Sequence, residues 1–196
     1  DLIEGRVLRR FGYDIIHYES LDRRGIDVGM IYRKDYFTPL YSHPYRVMLP
    51  NDKAFVTRDV LYVKGVTKES DTLHILVNHW PSRYGGQAKS EPKRIQAALT
   101  VAKVVDSIQT NNPTASVVIM GDLNDDPVNN SVKKILGAKG SKEGMKSKGF
   151  YNPWMTMYKN GIGTLAYNDA WNLFDQIIVS GAMVNDNTEG FQFYKA

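Results

Sequence analysis

The residues of this chain that could do chemistry gather at the ends of three apolar runs. In Val117-Val118-Ile119-Met120-Gly121-Asp122-Leu123-Asn124 the run ends on a glycine and then offers a carboxylate and an amide two residues apart. That spacing lets both side chains leave the end of a strand on the same side, toward the crevice where open α/β sheets bind ligands. Hard oxygen donors of this kind suit Mg²⁺ or Mn²⁺, which take one or two carboxylates together with waters and substrate phosphate. The competing reading is a turn in which Asp and Asn bond their own backbone. The motif alone leaves both open.

Leu76-Val77-Asn78-His79-Trp80-Pro81-Ser82-Arg83 repeats the theme, with a histidine where the apolar run stops. A histidine at a strand end is commonly a hydrogen-bonded structural residue. Beside the first motif it can also donate to a phosphate oxygen or protonate a leaving group. Asn78 lies next to it, and the fork of Arg83 can hold the same phosphate. The third run is Trp171-Asn172-Leu173-Phe174-Asp175-Gln176-Ile177-Ile178-Val179-Ser180, where a carboxylate opens an otherwise apolar strand. Burying a carboxylate is costly unless it is paired. Asp175 is therefore expected to have a cationic or donor partner, either as a structural pair or to orient an imidazole.

Such residues need rigid strands behind them, and the sequence predicts several. Val60 to Val66, Leu73 to Asn78, Ser116 to Met120 and Asp175 to Ser180 read as buried strands. Between the second and third, Ser90 is a plausible N-cap, Pro92 fits the first turn, and Ile95, Ala98, Leu99, Ala102, Val105 and Gln109 keep a helical stripe. Leu2 to Phe11 predicts an opening helix closed by Gly12. Tyr13 to Tyr18 and Ile26 to Tyr32 read as strands around the charged turn Ser20 to Gly25. Thr38 to Asn51 reads as an edge strand or irregular crossing, Gly137 to Gly149 as a basic connector, and Asn160-Gly161 as a hairpin tip. Buried strand, helix, buried strand makes the fold class α/β (α+β), a layered sandwich. At 196 residues one domain over 1–196 is expected.

Composition excludes several classes. Glycine and proline, at 16 and 8, and a charged fraction of 23% are ordinary for a globular chain, so collagen-like and disordered classes drop out. Without cysteine there is no disulfide framework, thiolate metal site or cysteine nucleophile. No apolar run approaches bilayer length. The net charge of +4 is carried by the first half, and every arginine lies at or before Arg94. That bias is compatible with a polyanionic partner.

Taken together, Gly-Asp-x-Asn, Asn-His-x-Pro-Ser-Arg and Asp-Gln, each at a strand end, resemble the endonuclease/exonuclease/phosphatase superfamily. Arg23-Arg24-Gly25-Ile26-Asp27-Val28 and Thr57-Arg58-Asp59 are similar to its connecting segments, so the resemblance runs from about Tyr13 to Ser180. It implies the deoxyribonuclease I-like fold, a four-layered sandwich of two mixed β-sheets flanked by helices. It implies metal-dependent hydrolysis of phosphate esters, here nucleic-acid phosphodiesters, with Mg²⁺ or Mn²⁺ at Asp122 and Asn124. By the same resemblance Asp122 handles the attacking water, Asn124 holds a phosphate oxygen, His79 stands by the scissile phosphate and Asp175 orients a second histidine. Asn78, Arg83 and Arg58 become candidate substrate contacts.

The family's upstream asparagine and glutamate strands and its C-terminal Ser-Asp-His segment have no match in this sequence. The expectation is a fold incomplete at both ends, a piece of a longer chain that binds Mg²⁺ poorly, hydrolyses little and self-associates through exposed strand edges. Glu4, His17, Glu19 and His43 match no position of the family's site. Two alternatives stand beside the nuclease reading: a phosphatase of small phosphates or lipid headgroups, and a non-catalytic module that binds phosphate or nucleic acid.

Overall fold

A computed structural model describes residue 8, residues 10–167, 170–185 and 190–194. The helix expected over Leu2 to Phe11 lies largely outside the described residues. The elements are β1 (Tyr13–His17), β2 (Gly29–Arg33), β3 (Phe37–Tyr45), β4 (Val60–Thr67), β5 (Thr72–His79), α1 (Gln87–Asn111), β6 (Ser116–Asp122), β7 (Ala138–Lys139), β8 (Phe150–Tyr151), α2 (Trp154–Lys159), β9 (Leu165–Tyr167), β10 (Ala170–Asn172) and β11 (Asp175–Ser180). A one-turn π-helix spans Ser131–Ile135 and a 3₁₀ turn Gly181–Met183.

Seven strands form one mixed sheet in the order β3-β4-β5-β6-β11-β8-β7, while β1-β2 and β9-β10 are separate two-stranded ribbons. The apolar runs occupy the middle, where both faces are covered. β5 and β6 pair in parallel, as their crossover through α1 requires. On one face Leu76, Val117, Ile119 and Ile178 pack against Ala97, Ala98, Val101 and Val105 of α1. On the other, Leu61, Val63, Leu73 and Ile75 pack against Ile16, Met30 and Tyr32 of the β1-β2 ribbon. Helix, large sheet and small sheet thus stack as layers, the α/β sandwich that the sequence implied.

Local chemistry moved several boundaries. α1 begins at Gln87 rather than near Ser90, because Ser90 Oγ donates back to the Gly86 carbonyl at 2.7 Å instead of capping the helix. Asn160-Gly161 closes the short helix α2, with Gly161 at φ +77°, and the hairpin sits later at β9-β10. Within the lysine-rich segment, Ala138–Lys139 pairs with β8, and Lys142 lies 5.2 Å from the Tyr151 ring centroid. β3 is an edge strand with exposed Leu40 and Tyr41, but Pro39 and Pro44 remove two of its donors, which limits strand addition there.

Candidate active site

Three neighbouring strands end in chemistry-bearing residues at the same level. His79, the last residue of β5, pairs with Asp122, the last of β6, and Asp122 pairs with Asp175, the first of β11. Paired residues on adjacent strands project to the same face, so the imidazole and two carboxylates form a row about one strand spacing apart. His79 Nε2 lies 3.6 Å from Asp122 Oδ2, and both side chains are about one-third exposed. The row lies at the sheet end that the β5 to α1 loop and the β6 exit loop border. Asp175 was expected to be buried and is exposed instead, with no ion pair among the described residues. Residues alternate along β11, and its first position shares the open face with Ile177 while Gln176 and Ile178 turn inward.

Gly121 lets the row form. Its φ is +123°, and a Cβ there would lie 2.0 Å from the Asn78 carbonyl oxygen. Only glycine allows β6 to pass this close to β5 and still deliver Asp122. The next turn is an Asx turn as well as a site. Asp122 Oδ1 accepts the Asn124 backbone N–H at 2.8 Å, and Asn124 takes up φ +49°. The two readings of the motif are one geometry. Asn124 Nδ2 donates to the Trp80 carbonyl at 2.9 Å, leaving its Oδ1 without a protein donor among the described residues.

Beyond Asn124 the same loop plunges inward. Asp125, fully buried, meets Arg94 Nε at 2.7 Å, Gln87 Nε2 at 3.1 Å and Ser131 Oγ at 2.6 Å. Asp126 accepts from Arg83 at 2.9 Å and from the Leu173 N–H at 2.8 Å, which ties the loop to the approach to β11. One five-residue stretch therefore faces solvent with Asp122 and anchors itself with Asp125 and Asp126. Asp125, Asp126 and Arg94 were not legible as site supports, because their partners lie about 30 to 50 positions away.

The expected substrate contacts are placed differently. Arg83 directs all three nitrogens at protein acceptors, among them the Asn124 carbonyl at 3.0 Å and Asn172 Oδ1 at 3.3 Å, and its guanidinium covers Phe174. Arg58 is buried and likewise spent, with Nε on the His79 carbonyl, Nη2 on the Trp80 carbonyl and Nη1 on Asp22. Asn78 turns to the helix side of the sheet, bonding the Leu76 carbonyl and the Trp80 indole. These three shape the strand ends from behind. Two residues that the sequence offered only as a charged turn stand at the rim instead. Asp22, buried by Arg58, also receives Arg24 Nε at 3.1 Å, and Arg24 is exposed.

The whole chain, residues 1–196, matches the model of the Endonuclease/Exonuclease/phosphatase family. The chain belongs to this family. Among solved structures, the human Nocturnin catalytic domain is similar at 16% identity and TM-score 0.64, with 90% of this chain and 64% of that one covered. ANGEL2, a 2′,3′-cyclic phosphatase, matches at 12% identity and TM-score 0.64, over 91% of this chain and 66% of that one. Truncated Caenorhabditis elegans TDP2 matches at 17% and 0.58, over 86% and 62%. The chain thus spans a little under two thirds of the length of these structures, and the likeness is one of fold. A search of curated proteins finds no match.

The electrostatics of this family member's row oppose full ionisation. Burial pushes the Asp122 carboxyl up, and neighbouring Asp175 adds to it against the Asn124 N–H and His79. Burial pushes the His79 imidazole down, and the cations Arg58 and Arg24 add to it against Asp122. These effects favour the neutral imidazole. Asp22 differs: burial disfavours its charge, but hydrogen bonds from Arg24 and Arg58 outweigh that and hold it well below the usual carboxylate range. Asp122 and Asp175, paired in register, put two hard oxygen donors on one face, and Asn124 Oδ1, two residues beyond Asp122, is a further oxygen with no donor among the described residues. They fit a hard divalent cation, which would relieve the repulsion between the two carboxylates. A second group, His17, Glu19 and Asp27, has ligand atoms within 4.8 Å of one another. The His17 to Asp27 contact at 3.3 Å and the Ser20 N–H on Asp27 account for it as local pairing.

Proposed function

We propose that this chain carries the catalytic core of a divalent-metal-dependent phosphoesterase that hydrolyses nucleic-acid phosphodiester bonds. The observation that carries the reading is the row His79, Asp122, Asp175, set in register on three adjacent strand ends and open to solvent. Asp122, whose carboxyl burial pushes up, accepts a hydrogen bond from the attacking water and orients it. His79, whose neutral form burial favours, donates a hydrogen bond from its ring N–H to a non-bridging phosphate oxygen. Asp122, Asp175 and Asn124 Oδ1 are the residues that would hold Mg²⁺ or Mn²⁺. A bound cation supplies charge neutralisation at the phosphate oxygens. Arg83 and Arg58 act on this chemistry by fixing the Asn124 and His79 backbones. The +4 net charge supports a polyanionic substrate.

The test is hydrolysis of a single-stranded oligonucleotide and of bis-p-nitrophenyl phosphate with Mg²⁺, Mn²⁺ or EDTA. In a longer version of the protein that supplies the segments this sequence lacks a match for, cleavage should be lost in EDTA, and kcat should fall about 100-fold or more in Asp122→Ala. EDTA-insensitive turnover, or turnover undiminished in Asp122→Ala, overturns the assignment. Preference for a phosphomonoester over both diesters moves the reading to a small-molecule phosphatase. Metal-independent oligonucleotide binding with no hydrolysis moves it to a binding module.

A further inference from the structure

Arg58, Arg24 and Asp22, whose charges act on His79, also line an open cavity of about 590 Å³. Its walls come from the Asp22 to Arg24 turn, the 52–58 segment and the Pro81 to Tyr84 loop, with Lys93 reaching in from α1. Arg23, Arg24, Arg58 and Lys93 line it together with Asp22 and Asp52, four cations and two carboxylates. The three arginines differ in what they have left to give. Arg58 is saturated by Asp22 and two backbone carbonyls, and Arg23 has one long contact of 3.5 Å to the Ala54 carbonyl. Arg24 pairs with Asp22 at 3.1 and 3.3 Å, yet its side chain is 58% exposed. Asp22 is itself buried and also holds Arg58, so Arg24 can stay on the carboxylate while the exposed side of its guanidinium turns to an incoming anion. Lys93 is exposed, its ammonium 5.5 Å from the Phe55 ring centroid.

We propose that this cavity is a second phosphate subsite, in which Arg24, Arg23 and Lys93 hold a phosphate group of the substrate other than the one at Asp122. The proposal rests on the phosphoesterase reading and sharpens it, because it selects substrates that carry at least two phosphates. Asp22 is the positioning residue of the subsite. Locked by Arg58 to the His79 and Trp80 carbonyls, it sets Arg24 at a fixed place relative to the row. Arginine forks match phosphate oxygens two at a time, and the excess of cations gives the subsite a salt-dependent attraction. The second phosphate can come from the next nucleotide of a strand or from a small bisphosphate.

Isothermal calorimetry on the 196-residue chain separates these cases, with adenosine 5′-monophosphate, adenosine 3′,5′-bisphosphate, and single-stranded DNA and RNA tetranucleotides as ligands. The bisphosphate should bind about 10-fold tighter than the monophosphate at low salt, an advantage that shrinks as salt rises. Arg24→Ala and Lys93→Ala should each reduce that advantage, Arg24→Lys should keep part of it, and the double alanine variant should abolish it. Circular dichroism checks that each variant is folded. A further rise in affinity with either tetranucleotide identifies a strand as the source. No further rise identifies a small bisphosphate. Equal affinity for mono- and bisphosphate, or an advantage that survives in the double variant, overturns the subsite. The His79 ring resonances, followed by NMR, keep the two readings apart. A monophosphate that shifts them without gain from a second phosphate sinks the subsite alone. Ligands that leave them unmoved, with no ester hydrolysed, sink the phosphoesterase reading with it.

Discussion

Asp122 and Asp125 stand three positions apart in one loop and should respond oppositely to removal. Asp125 is fully buried against an equally buried Arg94 at 2.7 Å, with Ser131, Gln87 and, at 3.4 Å, Arg83 around it. Asp125→Ala leaves the Arg94 guanidinium in the interior without its counter-charge, which costs about 3–5 kcal/mol. The stranded hydroxyl and amide add to this, but they share the same cavity, so their losses do not sum independently. In a chain of this size Tm moves about 2–4 °C per kcal/mol, so a fall of roughly 6–20 °C is expected. Asp122 is pushed up by burial and by Asp175, so its ionisation works against folding at neutral pH. The sign follows from linkage: a raised carboxyl favours the folded state at low pH and loses that advantage as pH rises toward neutrality. Asp122→Asn should therefore be neutral or stabilising at pH 7 and without benefit in acid. Urea and thermal unfolding of both variants measure the contrast. An Asp125→Ala variant within about 1 kcal/mol of the parent would show that the interior pair is not what anchors the loop. The double variant Asp125→Leu, Arg94→Met, which removes both charges, should recover much of the loss.

Other expectations follow from single groups. His74, stacked on Tyr62 and bonded to its hydroxyl at 2.7 Å, is held neutral by burial with its pKa lowered to about 4. Its contribution is present above the ordinary histidine range and lost as pH falls from about 6.5 toward 4. Up to about 3 kcal/mol should disappear over that window, and a His74→Phe variant should lose its pH dependence there. Gly121→Ala puts a methyl 2.0 Å from the Asn78 carbonyl at φ +123°, so it should fold poorly and lose the β5 to β6 register that sets His79 beside Asp122; amide hydrogen exchange in β6 reads this directly. Asp22→Asn removes a carboxylate that opposes the lowering of the His79 pKa, so the NMR titration of His79 should move to lower pH. An upward shift would contradict the placement of Asp22 beside it.

The strand ends were legible because apolar runs that stop at polar residues mark where a buried sheet meets solvent. His79, Asp122 and Asp175 lie at such stops, and the family resemblance carried by their motifs named the fold. Side-chain direction was less legible. Asp175 read as buried because its strand is apolar, but alternation turns its first residue outward. Arg83 and Arg58 read as phosphate ligands because arginine is suited to that role. Tertiary structure assigned them to backbone carbonyls and carboxylates instead, since a loop that presents Asp122 to solvent must be anchored from within. Asp22 and Arg24 looked like an ordinary charged turn. Only the packing of the β1-β2 ribbon on the large sheet brought them to Arg58, 36 positions away, and so to the edge of the site. Local pattern specifies which residues end strands; the partners that spend or spare their charges are set by contacts between segments distant in sequence.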